Sequence, residues 1–366
     1  MPLYMDIHII PGVKAREVAQ AHDLDLLHQE EHQCKCMTYW IDEERESVFC
    51  LIDAPNEEAV IKLHNRAHGL IPNKIIEVKS SLVESFLGRI YDPVNTTITD
   101  DGLKVFNDSS FRIIMVTKIT DPVLLKYKLG AEKVDELLNN HNKIIRKNLQ
   151  HFGGTEVEHR GAEFIISFTI AVAAVSCALA ILAAVKDAGV DEMGFGIGIN
   201  AGEPVEKSNS LFGDTLQLAK YICSIANNFQ IALTVTVKEL VVKDYFQKQH
   251  NNFFTLSAQD EVLLELLYAK LEQNWRDTEF DITQFSHAMA MSNSQLYRKI
   301  ISLTGLPPNL FLKDYRLEKA KELMKKKHYS ISQITYESGF SSPSYFTKCF
   351  KKKYGLLPMA YIDLLY

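Results

Sequence analysis

Apolar and polar positions divide the 366-residue chain into three stretches of different rhythm. In the first, Leu3 to Ile10 reads as extended and Pro11-Gly12 turns the chain. Val13 to Glu31 has helical spacing, with Val18, Leu24 and Leu27 among its apolar positions. Met37 to Ile41 and Ser47 to Ile52 read as paired strands around the charged turn Asp42-Glu43-Glu44-Arg45. Asn56 suits the cap of a helix over Glu57 to Ala67, and Ile75 to Val78 supplies a last strand. The second stretch opens with the strand Ile113 to Val116, followed by a long helix through Leu137, Ile144 and Leu149. Further strands are predicted after Gly154, at Phe164 to Thr169 and at Phe195 to Ile199, with helices from Ala171 to about Lys186 and over Leu216 to Ala226. From about Phe254 onward the spacing is almost entirely helical.

These patterns predict a multidomain chain. Residues 1–79 follow the order β-α-β-β-α-β, the ferredoxin-like α+β arrangement. Residues 80–110, punctuated by Asp92-Pro93 and Asp100-Asp101-Gly102, read as a linker in which Leu82 to Ile90 has helical potential. Residues 111–245 form a mixed α/β domain, and 246–366 an all-α module with a leading helix.

Composition and charge change this picture. A hydrophobic share of 46% and a charged share of 23% are ordinary for a globular protein, which excludes a disordered chain. The net charge of -6 is unevenly divided: Trp275 to Tyr366 holds 14 Lys/Arg against 8 Asp/Glu, so a basic end is attached to an acidic body. Phe164 to Val185 carries no charge and is long enough to span a bilayer. It divides into a strand and an Ala-rich helix without a flanking Lys/Arg cluster, so a buried β-α unit is expected and no membrane partner. Six scattered cysteines and a start without a secretory pattern predict free thiols and a cytoplasmic protein.

The basic end contains two candidate helix-turn-helix units. In the first, Ile282 to Ala290 precedes Asn293 to Leu303, where Leu296 and Ile300 face inward and Ser294, Gln295, Arg298 and Lys299 outward. In the second, Ile331 to Ser338 turns at Gly339-Phe340 into a helix from about Pro343 to Lys353. Its exposed edge offers Ser342, Ser344, Tyr345 and Lys348, with Lys351, Lys352 and Lys353 behind. Such donor-rich edges suit bases and phosphates of double-stranded DNA; the competing reading is a helical bundle that binds protein. An amphipathic helix, Leu310 to Lys325, joins the units. The residues Leu296-Tyr297-Arg298-Lys299, Arg316-Leu317-Glu318-Lys319-Ala320 and Gly339-Phe340-Ser341-Ser342-Pro343-Ser344-Tyr345-Phe346 resemble the AraC family, as do Phe350-Lys351-Lys352-x-Tyr354-Gly355 and Pro358-x-x-Tyr361. Thr335 stands where that family usually has Ala. The resemblance, over about 110 residues, implies two recognition helices in successive major grooves, spaced by about 34 Å.

Candidate metal chemistry gathers at the other end. Six of the 12 histidines (His8, His22, His28, His32, His64 and His68) and three of the 6 cysteines (Cys34, Cys36 and Cys50) fall in the first 79 residues. His64 and His68 stand four apart on one helix, so both rings can reach one ion. Imidazole and thiolate suit nickel, zinc or copper. Met5-Asp6-x-His8, Ala21-His22-x-x-Asp25-Leu26, Phe49-Cys50-Leu51-x-x-Ala54-Pro55 and His64-x-x-Ala67-His68-Gly69 resemble a family of small bacterial ferredoxin-like proteins with nickel-binding members. That resemblance implies that His8, His22, His64 and His68, with Cys50, approach one site for a divalent metal such as nickel or zinc.

In the middle stretch, His151-Phe152-Gly153-Gly154, Gly161 to Phe168, Gly196-Ile197-Gly198-Ile199-Asn200-x-Gly202-Glu203-Pro204 and Leu211-Phe212-Gly213-Asp214-Thr215 resemble the class III nucleotide cyclase homology domain. The resemblance implies metal-binding Asp at two positions, and here these are Thr117 and Ala162, neither able to replace a carboxylate. The Asn and Arg that would support the nucleotide align with Gln217 and Tyr221. A cyclase-like domain without catalysis is expected, and because class III domains generally pair, a homodimer.

The resulting expectation is an AraC-type transcription regulator, not an enzyme and without catalytic residues, under the control of a metal ion or small effector. Alternatives are a divergent cyclase and a metal-binding protein with incidental DNA affinity.

Overall fold

The computed structural model describes residues 1–94, 96–161, 163–188, 193–226, 229–241, 252–326 and 328–365. The first domain comprises β1 (Leu3–Ile9), α1 (Ala15–His28), β2 (Lys35–Asp42), β3 (Ser47–Asp53), α2 (Glu57–Ala67) and β4 (Lys74–Val78). Its antiparallel sheet has the order β2-β3-β1-β4, as a ferredoxin-like chain requires. Asn56 caps α2 by accepting from the Ala59 amide at 2.9 Å. Period-two alternation gives each strand two working faces. Tyr4, Asp6 and His8 of β1 and Cys50 of β3 are turned toward the helices. Met5, Ile7, Phe49 and Leu51 are turned the other way and join Ile114, Val116 and Ile165 of the middle domain in one apolar cluster. Both faces of this sheet are therefore covered.

The segment expected as a linker is largely built into the fold. Its α3 (Ser80–Leu87) inserts Val83, Phe86 and Leu87 between the two domains. The small hairpin β5 (Thr97–Ile98) and β6 (Lys104–Val105) follows, and Leu103 and Phe106 pack against Val18 and Tyr39. These five apolar side chains are the physical reason that the segment is not free.

In the middle domain, β7 (Arg112–Ile119), β8 (Thr155–Arg160), β9 (Glu163–Phe168), β10 (Phe195–Gly202), β11 (Gln230–Leu233) and β12 (Phe253–Thr255) form one sheet of order β12-β11-β10-β7-β9-β8. Helices α4 (Pro122–Leu129), α5 (Ala131–Phe152), α6 (Ala171–Asp187), α7 (Gly213–Ile225) and α8 (Val235–Leu240) complete it. The long helix expected after β7 is broken at Gly130, and the uncharged stretch resolves into β9 and α6, with Ala174, Val175, Ala178 and Ile181 fully buried. Among the described residues no helix is long and apolar enough to cross a membrane. β12 pairs with β11, so the sheet continues past the boundary expected at residue 245, which itself lies outside the described residues.

The remaining chain forms α9 (Ala258–Asn274), α10 (Ile282–Ala288), α11 (Asn293–Thr304), α12 (Pro308–Met324), α13 (Ile331–Glu337), α14 (Pro343–Tyr354) and α15 (Pro358–Asp363). These match the predicted helix-turn-helix elements to within a turn or less. The three-part fold class, α+β, then α/β, then all-α, is the one expected.

Candidate metal centre and nucleic-acid interface

Four elements of the first domain turn polar side chains into its interior. α1 contributes His22 and Asp25, buried in a face where Val18 and Ala19 are its buried apolar side chains. Leu24 and Leu27, apolar positions of the same helix, lie at the surface at 40% and 71% exposure. β1 contributes Asp6 and His8, β3 contributes Cys50, and α2 contributes His64 with His68 just beyond its end. His64 is fully buried between two carboxylates: Nε2 is 3.0 Å from Asp6 Oδ2 and Nδ1 is 3.1 Å from Asp25 Oδ1. Its Nδ1 is also 3.1 Å from His68 Nε2, which in turn lies 3.3 Å from Asp25. Burial disfavours the charged ring, but the two carboxylates outweigh it and raise the His64 pKa to about 10. Burial likewise opposes ionisation of Asp6, and His64 and His8 reverse this and hold it well below the usual carboxylate range.

The described residues include two groups with metal-binding atoms within 4.8 Å of one another: Asp6, His8, Cys50 and His64, and Asp25, His64 and His68. His8, Cys50 and His64 thus share one group and His68 belongs to the other, joined to it through His64, whereas His22 stands outside both groups, 3.6 Å from Asp92. His22 nevertheless lines, with His8, Asp25, Tyr39, Cys50 and His68, a cavity of about 250 Å³ whose other walls include Val13, Val18, Val48 and Leu70. Three buried atoms on this wall, His8 Nε2, His22 Nε2 and the Tyr39 hydroxyl, have no hydrogen-bond partner among the described residues. His8 Nε2 is 3.3 Å from Asp6 Oδ1 but without hydrogen-bond alignment. Unpaired buried imidazole nitrogens are costly unless something binds them, so the donor set fits a transition-metal ion. Cys50 is kept protonated by burial and by Asp6 and Asp25, so an ion that used its sulfur would have to release that proton. Sequence reasoning missed Asp6, Asp25, Tyr39 and Asp92. Asp6 and Asp25 stand inside the quoted motifs, and their even placement with His8 and His22 on one strand and one helix was the available signal.

At the other end the polar side chains point outward. On α11, Leu296, Ile300 and Leu303 are buried, and Ser294, Gln295, Arg298 and Lys299 are exposed. On α14, Phe346, Cys349, Phe350 and Tyr354 are buried, while Ser344, Tyr345, Lys348 and Lys352 are exposed and Ser342 is half-buried. Two of these side chains also have a local structural task. Gln295 closes a capping box with Ser292, its Oε1 accepting from the Ser292 amide at 2.9 Å. Ser342 caps α14 by accepting from the Tyr345 amide at 3.3 Å. Both keep a free donor, the Gln295 amide nitrogen and the Ser342 hydroxyl. Lys353 is turned back to Asp314 and Glu318, at 3.4 and 3.5 Å.

The turn of the second unit is fixed by close approach. Gly339 has φ +75°, and a Cβ there would lie 2.1 Å from the Trp275 carbonyl oxygen. Arg316 donates to that same oxygen at 3.0 Å, and to the Asp277 and Phe280 carbonyls at 2.6 and 2.9 Å. Arg316 therefore ties the α9–α10 connection to the second unit, and Gly339 provides the space.

Thr117 is fully buried with an unpartnered hydroxyl, and Ala162 lies outside the described residues. The Gln217 amide donates to the Tyr221 hydroxyl, and the Tyr221 ring stacks on Tyr268 of α9 at 3.9 Å. Gly198 lets α7 lie against β10: a Cβ there would meet the Ala219 carbonyl at 2.3 Å. Its role is helix-on-sheet packing, not phosphate contact.

Comparison with known proteins agrees with this division. Residues 4–78 match the family model described as "Nickel responsive protein SCO4226-like", and residues 285–363 match "Helix-turn-helix domain". A histidine kinase P4 of Formosa agariphila is 39% identical over 107 residues, 29% of this chain and 8% of that protein. The HTH-type transcriptional regulator MtrA of Neisseria gonorrhoeae is 35% identical over 85 residues, 23% of this chain and 28% of its own length. The C-terminal domain is of the AraC helix-turn-helix type. Among solved structures, the AdpA DNA-binding domain in complex with target DNA is 29% identical with a TM-score of 0.26, covering 28% of this chain and 89% of that one. SCO4226 of Streptomyces coelicolor is 31% identical with a TM-score of 0.20, covering 21% and 94%. The guanylyl cyclase Cya2 is 23% identical with a TM-score of 0.32, covering 36% and 79%. The chain spans less than a third of either curated relative's length, so these likenesses belong to single domains.

Proposed function

We propose that the protein is a sequence-specific DNA-binding transcription regulator whose first domain senses a divalent transition metal or a small effector. The observation that carries this reading is the pair of exposed donor-rich edges on α11 and α14, with the rest of the molecule packed behind them. Gln295, Arg298 and Ser344 would read base edges, and Lys299, Lys348 and Lys352 would contact phosphates. A bound ion would be held by Asp6, His8, Cys50 and His64, with His22 and His68 on the adjoining cavity wall, and its positive charge would replace the proton that Asp6 and Asp25 hold on His64. Nickel is the first candidate, given the family that the domain resembles; zinc suits the same donors. Binding would favour one arrangement of the domains and so change operator affinity.

In this reading the middle domain carries no catalysis: Thr117 provides no carboxylate for a metal-bound triphosphate, and α9 lies over Tyr221. Two copies would pair through a surface other than the α7 face, which α9 already occupies. Free Cys34, Cys36, Cys50, Cys177, Cys223 and Cys349 suit the reducing cytoplasm.

Titration of nickel against operator affinity tests the sensing step. Affinity that stays constant while nickel saturates would remove metal sensing. Incubation with ATP or GTP plus Mg²⁺ or Mn²⁺ should yield no cyclic nucleotide, and its formation would favour the divergent cyclase instead.

A further inference from the structure

A single strand runs from the sensor side of the molecule toward the second helix-turn-helix unit. β7 begins at Arg112, whose buried guanidinium donates to the α3 carbonyls of Phe86 and Leu87 at 2.9 and 3.2 Å. It ends at Ile119, two residues before Asp121. Eight residues at about 3.3 Å each make a rod of roughly 26 Å. Hydrogen bonding to β9 on one side and β10 on the other makes that rod stiff.

Asp121 joins three elements. One carboxylate oxygen caps α4, accepting from the Val123 amide at 3.0 Å. The other accepts from Lys321 Nζ of α12 at 2.9 Å and from the Tyr361 hydroxyl of α15 at 2.7 Å. Lys321 and Tyr361 are both buried, and one turn along α4 Leu124 enters the apolar cluster of the second unit beside Leu317 and Phe350. The first unit is anchored elsewhere: Tyr268 of α9 stacks on Tyr221 and shares a 2.6 Å hydrogen bond with Ser224. The two units thus have separate attachments to one rigid domain, while Ser344 and Lys348 remain exposed.

We propose that Asp121 is a positioning residue for DNA binding: by holding Lys321 and Tyr361 it fixes the second unit on the middle domain. The pose of α14 relative to α11 then follows the end of β7. A buried charged contact with two donors is satisfied in few geometries, so it selects one pose where apolar packing alone would tolerate several. This rests on the DNA-binding reading above.

The test uses the full-length protein and an operator selected from random DNA by the wild type. Affinity is measured for operators altered in one half-site at a time, beside hydroxyl-radical footprints and thermal melts. For Asp121→Asn the expected result is unchanged discrimination in the half contacted by α11 and at least fivefold weaker discrimination in the half contacted by α14. Tyr361→Phe keeps the buried ring and removes one donor, so it should move the same half in the same direction by less. Folded variants that discriminate in both halves as the wild type does would overturn the proposal; if Asp121→Asn does not fold, Tyr361→Phe decides. Loss spread equally over both halves would reduce Asp121 to general stability and also overturn it. A wild type that selects no sequence would instead remove the DNA-binding reading itself.

Discussion

At the amino-terminal end Asp6, His8, Asp25 and His64 are turned inward and packed around one another, and at the carboxyl-terminal end Ser294, Arg298, Ser344 and Lys348 are turned outward. The two regions therefore depend on polar groups in opposite ways. Inward groups are part of the domain's own stability, because each is the partner that makes burial of another tolerable. Outward groups contribute little to folding, and their donors remain available to something else. The two regions can accordingly be told apart by what their substitutions break.

The largest expected effect is on the inward side. Asp6→Ala removes the partner of His64 and the neighbour of His8, leaving charge and orphaned nitrogens in the interior. Loss of one partner of a buried pair costs about 3–5 kcal/mol, so the melting of the first domain should fall steeply while operator selectivity of the folded fraction is kept. An unchanged melting curve would show that the cluster does not hold the first domain together. On the outward side, Arg298→Ala should leave the melting curve in place and weaken operator binding by about 1–3 kcal/mol, with relaxed base preference at one position. Equal footprints for Arg298→Ala and wild type would contradict its assignment.

An acid titration separates the two ends further. Asp121 and Glu318 flank Lys321, with Lys353, Asp314, Tyr354 and Tyr361 close by. Burial alone would raise both carboxyl pKa values, but Lys321 pulls both down, Glu318 to about 2 with the help of Lys353. A depressed folded value means the contribution is complete above the unfolded value of about 4 and is lost as pH falls through the folded one. The second unit should therefore loosen between about pH 4 and pH 2, and Asp121→Asn should flatten that dependence in circular-dichroism melts. The smallest effect is that of Lys352→Ala, expected to weaken binding uniformly across sequences and to lower the salt slope by about 1.

The same contrast explains what could be read from the amino acids alone. The reading end is made of consecutive helices whose inward and outward positions repeat locally, so Leu296 and Ile300 against Arg298 and Lys299 sort themselves by spacing. The amino-terminal end is assembled from β1, β3, α1 and α2, and proximity across elements leaves no period in the chain. His8, His64, His68 and Cys50 are marked by residue type, whereas the motifs that contain Asp6 and Asp25 do not show that both carboxylates meet at His64. The buried stripe of α1 contains His22 and Asp25, and its exposed side contains Leu27. The segment 80–110 was read as a linker from its turn residues, while its apolar positions, Phe86 and Leu103 among them, are committed to two different clusters.

The most direct test of the central claim is a hydroxyl-radical footprint of the full-length protein on DNA selected from a random pool. Two protected segments about one helical turn apart on one face of the duplex, the first weakened by Arg298→Ala, are the predicted result. Failure to enrich any sequence, or a single protected segment indifferent to Arg298→Ala, would contradict it.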